Sequence, residues 1–506
     1  MGYIRRVAAM LLCALMLLGA LPVLSVRAEE TQARKLPGLS MVTSHRGDHP
    51  ANWLFDGNTV KGFALTSGYH LTLAHDEGIG YLYLIFDIEY GPYRLINNDT
   101  GEEFTAGQNG YLHELLDLTE IFGQTPRSVT LRFENGTLRL NELTAYSAGE
   151  LPDKVQRWEE PAEGGADLVL FSAHGDDEQI FFAGLLPYYA GELGYQVQVV
   201  YLTNHRNVDN QRCHEMLNGL WAVGVRSYPV FGTFGDYLST TKDKAYSSFA
   251  YMGVTKDMLL DFVVEQVRRF RPRVAVGHDP INGEYGHGAH FLYAELLCEA
   301  AELASDPESF PESAEAYGLW DVPKVYLHLY PENPIVMDWD QPLERFGGKT
   351  AFEVTRDIGF AYHWSQQIAF GSYITPYDNA LEMPYSPAYY GLYRSTVGLD
   401  VQGGDMFENL LTYDQEAYYV QMHADALEQL QQEEAALAES QAAEEAAAAE
   451  EETIALETQK QQSLTEESVH EGKIVFLPIL AGLVLSLTGI IWVFILVRRR
   501  NSASKK

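Results

Sequence analysis

The chain has 506 residues, with 35 Lys and Arg against 70 Asp and Glu, a formal net charge of −35 at pH 7. That balance argues against nucleic acid as a partner, and the length is enough for two or three domains with substantial cores. Of the three Cys, Cys213 and Cys298 fall in helical patterns. They read as two buried thiols, with a disulfide as the alternative.

Residues 1–28 have the form of a secretory signal. Arg5 and Arg6 precede the apolar run 7–26, and Val26-Arg27-Ala28 is an acceptable cleavage site. An uncleaved anchor is the other reading, weakened by Pro22. Residues 36–150 follow as short β segments with polar turns: 81–88 (YLYLIFDI), 128–134 (SVTLRFE), the turn Asn135-Gly136, and 138–146 (LRLNELTAY). This is the pattern of an all-β, jelly-roll-like sandwich. Residues 152–165 are polar and read as a linker.

From residue 166 the rhythm changes to alternating strand and helix. Strands are expected at 168–173, 196–203, 227–231, 273–278 and 324–330, with helices at 178–193, 210–223, 256–270 and 288–304. Such a series predicts an α/β domain over 166–420, a mostly parallel Rossmann-like sheet with helices on both faces. Pro187 should kink or end the first helix. A last helix is expected near 352–368, and 373–393, rich in Tyr and Pro, reads as irregular.

Residues 424–470 form an Ala-, Glu- and Gln-rich stalk. From Asp425 to His470 it holds thirteen acidic residues and one Lys. Intrinsic propensity favours a helix there, no heptad holds, and a disordered spacer is the alternative. Residues 474–497 carry no charge over 24 positions and predict a transmembrane helix. The basic tail 498–506 places the C-terminus in the cytoplasm. The expected location is therefore the cell membrane, single-pass, with the body outside.

The chemistry-bearing stretch is 166–179, ADLVLFSAHGDDEQ. An apolar strand opens into His174, Gly175, Asp176, Asp177 and Glu178 at the carboxyl edge of the sheet, where open α/β folds place their sites. His174 and Asp177, three apart, can meet at one point as half of a divalent-metal site. Asp176 between them suits a general base for hydrolysis. An N-cap explains one Asp, not a His and three acids together. A second strand, in 274–290 (VAVGHDPINGEYGHGAH), leads to His287 and His290. His174, Asp177 and His290 together make a two-His, one-carboxylate set that suits Zn2+ and also Fe2+.

AHGDDE followed by YGHGAH resembles the LmbE-like/PIG-L family of metal-dependent de-N-acetylases, whose signatures are A-H-P-D-D-E and H-P-D-H. The likeness extends through Leu202-Thr203-Asn204, Arg212-x-x-Glu215, Ala222-Val223-Gly224, Arg271-Pro272-Arg273, Gly277-His278-Asp279-Pro280 and His363-x-Ser365-Gln366. It implies removal of an acetyl group from an N-acetylglucosamine-type sugar or glycan substrate. It also implies one zinc on His174, Asp177 and His290, with Asp176 as general base. His287 would be a charged group facing the oxyanion and leaving amine, Tyr285 a donor to the carbonyl oxygen, and Arg212 a substrate contact. Gly175 stands for the family's Pro, which loosens the turn, and Gly288-Ala289 for Pro-Asp, which removes a carboxylate beside His287. A second, weaker resemblance joins Ala51–Asn58 (ANWLFDGN) and 138–146 to discoidin or galactose-binding-like modules, which often bind glycans but are also spacers. Two competing readings remain, a glycan-binding protein without catalysis and a metal-dependent hydrolase of another amide.

Overall fold

The structure is a computed structural model that describes residues 32–43, 51–66, 68–87, 90–134, 137–204 and 210–470. The signal, the transmembrane segment, the basic tail and the Asn135-Gly136 turn lie outside these residues. Among the described residues no helix is long and apolar enough to cross a membrane. The chain divides into two compact units between Glu416 and Ala417.

The β-rich part is a two-sheet sandwich. One sheet runs β1 (Ser40–Thr43), β3 (Tyr69–Ala74), β8 (Ser128–Phe133), β5 (Tyr93–Asn97), β6 (Glu103–Ala106). The other runs β2 (Phe63–Thr66), β9 (Thr137–Tyr146), β4 (Tyr81–Phe86), β7 (His113–Asp117). Neighbours are antiparallel throughout. Period-two alternation sends Leu71, Leu73, Val129 and Leu131 inward, against Leu82, Leu84 and Leu140 of the facing sheet. Asp56 Oδ1 accepts from the Asn58 N–H at 2.8 Å, and the Gly57 N–H donates to Glu142 at 3.0 Å, so the Asp-Gly-Asn turn is tied to β9. The linker expected at 152–165 is instead packed down, because Val155, Gln156 and Trp158 are buried.

The α/β sheet contains β10 (Leu168–Ser172), β11 (Val197–Thr203), β12 (Val230–Phe234), β13 (Val274–Gly277), β14 (Lys324–His328), β15 (Pro334–Val336) and β16 (Tyr389–Ser395). The spatial order is β12-β11-β10-β13-β14-β16-β15. The first five are parallel, and β16 runs antiparallel to both neighbours. This is the doubly wound order, reversing between β10 and β13. Leu168, Leu170 and Val276 face one core with Met216 and Leu220, while Val169, Phe171 and Ala275 face the other with Val263 and Leu296. Burial on both faces explains why the strands read as continuous apolar runs.

Several elements depart from the sequence reading. The helix expected at 178–193 stops at Ile180, and Pro187 opens a separate π-helical turn, Pro187–Glu192. The strand expected at 227–231 is β12, three residues later. The helix near 352–368 is one α turn, Ala351–Val354, started by a Thr350/Glu353 capping box and continued as π and 3-10 turns. Residues 373–393 are not wholly irregular, since β16 begins at Tyr389. A helix at Lys242–Tyr251, capped by Thr241, has no counterpart in the reading. The acidic segment is helical: one helix spans Tyr413–His470, with exposed side chains from Ala417 to Leu464. Cys213 and Cys298 are both free thiols.

Candidate active site

The carboxyl ends of β10 and β13 meet where the strand order reverses, and the ligand-type residues gather there. After β10 the chain turns through His174–Asp176, and the short helix Asp177–Ile180 begins. The Ser172 hydroxyl donates to the His174 carbonyl at 2.9 Å, and the Thr203 hydroxyl at the end of β11 to that of Ala173 at 2.9 Å. Asp177 folds back, its Oδ2 accepting the His174 N–H at 2.8 Å. Gly175 does more than loosen this turn: a Cβ there would run into the buried Met216 side chain.

Three donors converge. His174 Nδ1 is 3.0 Å from Asp177 Oδ2 and 3.2 Å from His290 Nε2, and Asp177 Oδ2 is 3.3 Å from His290 Nε2. Ligands at zinc-type bond lengths of about 2.0–2.1 Å in a tetrahedral arrangement stand roughly 3.3–3.4 Å apart, so this triangle fits a divalent ion with a slight expansion. His287 joins His174 and His290 in a cluster whose candidate ligand atoms all lie within 4.8 Å. Asp177, His278 and His290 form a second such cluster. His278 Nε2, however, accepts the Ala173 N–H at 2.9 Å, which uses its lone pair. Burial favours the neutral forms, but the facing opposite charges prevail. Asp236 and Asp177 hold His174 up at about 10, Asp177 and Glu284 hold His290 up at about 9, and the imidazoles hold Asp177 well below the usual carboxylate range.

Asp176, next in the chain to Asp177, is paired with Arg212. Burial raises it to about 6, against the pull of Arg212, whose guanidinium donates to Asp176 Oδ1 at 3.1 Å and to the Gly175 carbonyl at 3.2 Å. Arg212 does not pair with Glu215, which takes the Ser365 hydroxyl at 2.6 Å and the Ser365 N–H at 3.1 Å. His287 stands edge-on to His174 with ring centroids 4.7 Å apart. Its Nδ1 is buried with no hydrogen-bond partner among the described residues, and Ala289, which stands where the resembled motif has Asp, is buried. Burial and the neighbouring imidazoles push His287 down to about 3, so it is neutral here rather than charged. The Tyr285 ring lies 5.5 Å from those of His287 and His290, and burial raises its hydroxyl, which stays protonated.

Three participants escape the sequence reading. Asp236, just after β12, reaches His174 Nε2 at 3.3 Å. Its signal was the one used for His174, an acid just past a parallel strand. Glu178, which the sequence reading left without a role, is buried and pairs with His363 Nε2 at 3.0 Å. Glu284 is buried among His278, His290 and His328. One acid in a Gly-rich loop gives no pattern to find.

Fold and site together define a doubly wound α/β domain with divalent-metal ligand chemistry at its switch point. Residues 169–301 match the family model described as PIG-L: GlcNAc-PI de-N-acetylase. The chain is 28% identical over 209 residues to the 1D-myo-inositol 2-acetamido-2-deoxy-alpha-D-glucopyranoside deacetylase of Streptomyces griseus, covering 37% of this chain and 59% of that protein. It is 28% identical over 178 residues to the corresponding deacetylase 1 of Frankia alni, covering 30% and 59%. It thus spans about three-fifths of the curated relatives it matches. The N,N'-diacetylchitobiose deacetylase of Pyrococcus horikoshii aligns at 15% identity over 44% of this chain and 83% of its own, with a TM-score of 0.26.

Proposed function

We propose that the chain is a zinc-dependent hydrolase that removes the N-acetyl group from an N-acetylglucosamine-type glycan or glycoconjugate at the cell surface. The observation that carries this is the triangle of His174 Nδ1, Asp177 Oδ2 and His290 Nε2 with an unligated carboxylate, Asp176, beside it. A divalent ion held by those three atoms supplies Lewis-acid polarisation of the amide carbonyl. Asp176, held near 6, is poised to take the proton of the attacking water at neutral pH. Arg212 keeps that carboxylate ionised and in place. Neutral His287 and Tyr285 offer hydrogen bonds to the carbonyl oxygen as charge develops there, and the proton that Asp176 takes from water is the one it can return to the leaving amine. The named relatives act on an acetamido sugar joined to inositol, which supports an N-acetylated sugar as the substrate class. The surface location rests on residues 1–28 and 474–497.

One observation favours a second reading, in which the domain binds glycan without turnover: His287 lacks a carboxylate partner and is pushed neutral. Acetate release from N-acetylated sugars by the full chain, with and without Asp176→Asn, separates the two. The proposal expects turnover in the wild type, and a loss of about 10²–10⁴-fold in kcat with bound zinc retained in Asp176→Asn. Zinc near one per chain with no acetate released from any N-acetylated sugar would contradict the proposal and favour the second reading or a metal-dependent hydrolase of another amide.

A further inference from the structure

Glu284 has no part in the chemistry above, yet its carboxylate is fully buried and faces three imidazoles. Oε2 lies 2.6 Å from His290 Nδ1. Oε1 lies 2.9 Å from His328 Nδ1 and 3.3 Å from His278 Nδ1, and it accepts the Asp279 N–H at 3.0 Å. The outer ends of two of these rings are anchored. His278 Nε2 accepts from Ala173, so its proton sits on Nδ1, toward Glu284. His328 Nε2 donates to the Ser386 carbonyl at 3.0 Å, so the ring holds Glu284 Oε1 through Nδ1 with a proton on each nitrogen. The backbone is bent to deliver the carboxylate, with Glu284 at φ +55°, a region a non-glycine residue seldom adopts.

A coordinating imidazole must present an unprotonated nitrogen, and a carboxylate on its other nitrogen both holds the proton there and aims the ring. The geometry points to Glu284 as a positioning residue that fixes His290 with Nε2 toward His174 and Asp177, while His278 and His328 clamp the carboxylate. The resemblance to known de-N-acetylases assigns Glu284 no role; the carboxylate it leads one to expect lies at 289, beside His287. This inference rests on reading His290 as a metal ligand.

The test is zinc affinity of the full chain by competition with a chromophoric chelator, together with the visible spectrum of the cobalt(II)-loaded protein. Glu284→Gln keeps size and one acceptor oxygen but removes the charge. It should weaken zinc binding about 10–100-fold and alter the cobalt spectrum. Unchanged affinity and spectrum, even with a lowered melting temperature, would mean that Glu284 only stabilises the fold, and would overturn the inference. If the wild type itself binds no zinc, the reading of the site falls first and this inference with it. Should Glu284→Gln not fold, His328→Asn, which touches no ligand, replaces it. Weakened affinity supports the clamp, and unchanged affinity refutes it.

Discussion

Replacing Arg212 with Gln separates its charge from its shape. The guanidinium sits 3.1 Å from Asp176 Oδ1 with its side chain 16% exposed. Burial alone drives Asp176 toward its protonated form, and Arg212 is the leading influence opposing it. A charge pair at that distance interacts by about 5 kcal/mol at an effective dielectric near 20. Part of this is lost to solvent and relaxation, and an Asp beside an Arg is commonly depressed by about 1–3 units, roughly 1.4–4 kcal/mol. Without the cation the carboxylate is harder to ionise, so its pKa rises. The acid limb of kcat/KM for acetate release should therefore move upward by about 1–3 units in Arg212→Gln. A two-unit shift from about 6 gives roughly a tenfold loss at pH 7 that is recovered at higher pH. Because both proteins carry the same metal, the difference between their profiles isolates Arg212. A limb that stays in place, or moves to lower pH, would refute the coupling of Arg212 to a catalytic Asp176.

Two further perturbations probe the frame around the site. Gly175→Ala forces a methyl group into Met216, so it should destabilise by about 1–3 kcal/mol in denaturant melts. Met216→Ala should offset much of that in a double-mutant cycle, and additive effects would contradict the packing account. The sandwich is joined to the helix Asn210–Ala222, which carries Arg212, by a buried pair in which His113 Nε2 is 2.9 Å from His214 Nδ1. Burial lowers both, His214 to about 4, so the unfolded chain binds more protons between pH 6.5 and 4. Stability is then full above about pH 6.5 and falls as pH drops, by about 3 kcal/mol at pH 4 from His214 alone. In His214→Asn, urea melts should show a shallower loss over that window; an unchanged pH slope would refute this assignment.

What the sequence revealed and what it hid have physical causes. Parallel strands buried on both faces leave apolar runs that are hard to miss, and a ligand pair three residues apart at such a strand's end is a local pattern. His174, Asp177 and His290 were therefore visible. The long acidic helix was visible because propensity alone decides it. Asp236 and Glu284 act through loops whose course depends on tertiary packing. Glu284 depends in particular on a left-handed backbone that no periodicity announces. β16 was obscured by its Tyr- and Pro-rich surroundings, and its place beside β14 comes from long-range pairing. The neutral state of His287 follows from the imidazoles around it, which spacing cannot convey.

The claim beneath all of this is that His174, Asp177 and His290 hold one divalent ion at the switch point of the sheet. Crystals of the zinc-loaded protein, measured on both sides of the zinc absorption edge, test it directly. The account predicts one strong anomalous peak about 2.0–2.2 Å from His174 Nδ1, Asp177 Oδ2 and His290 Nε2, with Asp176 uncoordinated. A peak coordinated by other residues, or no peak at this triangle in zinc-loaded crystals, would contradict it.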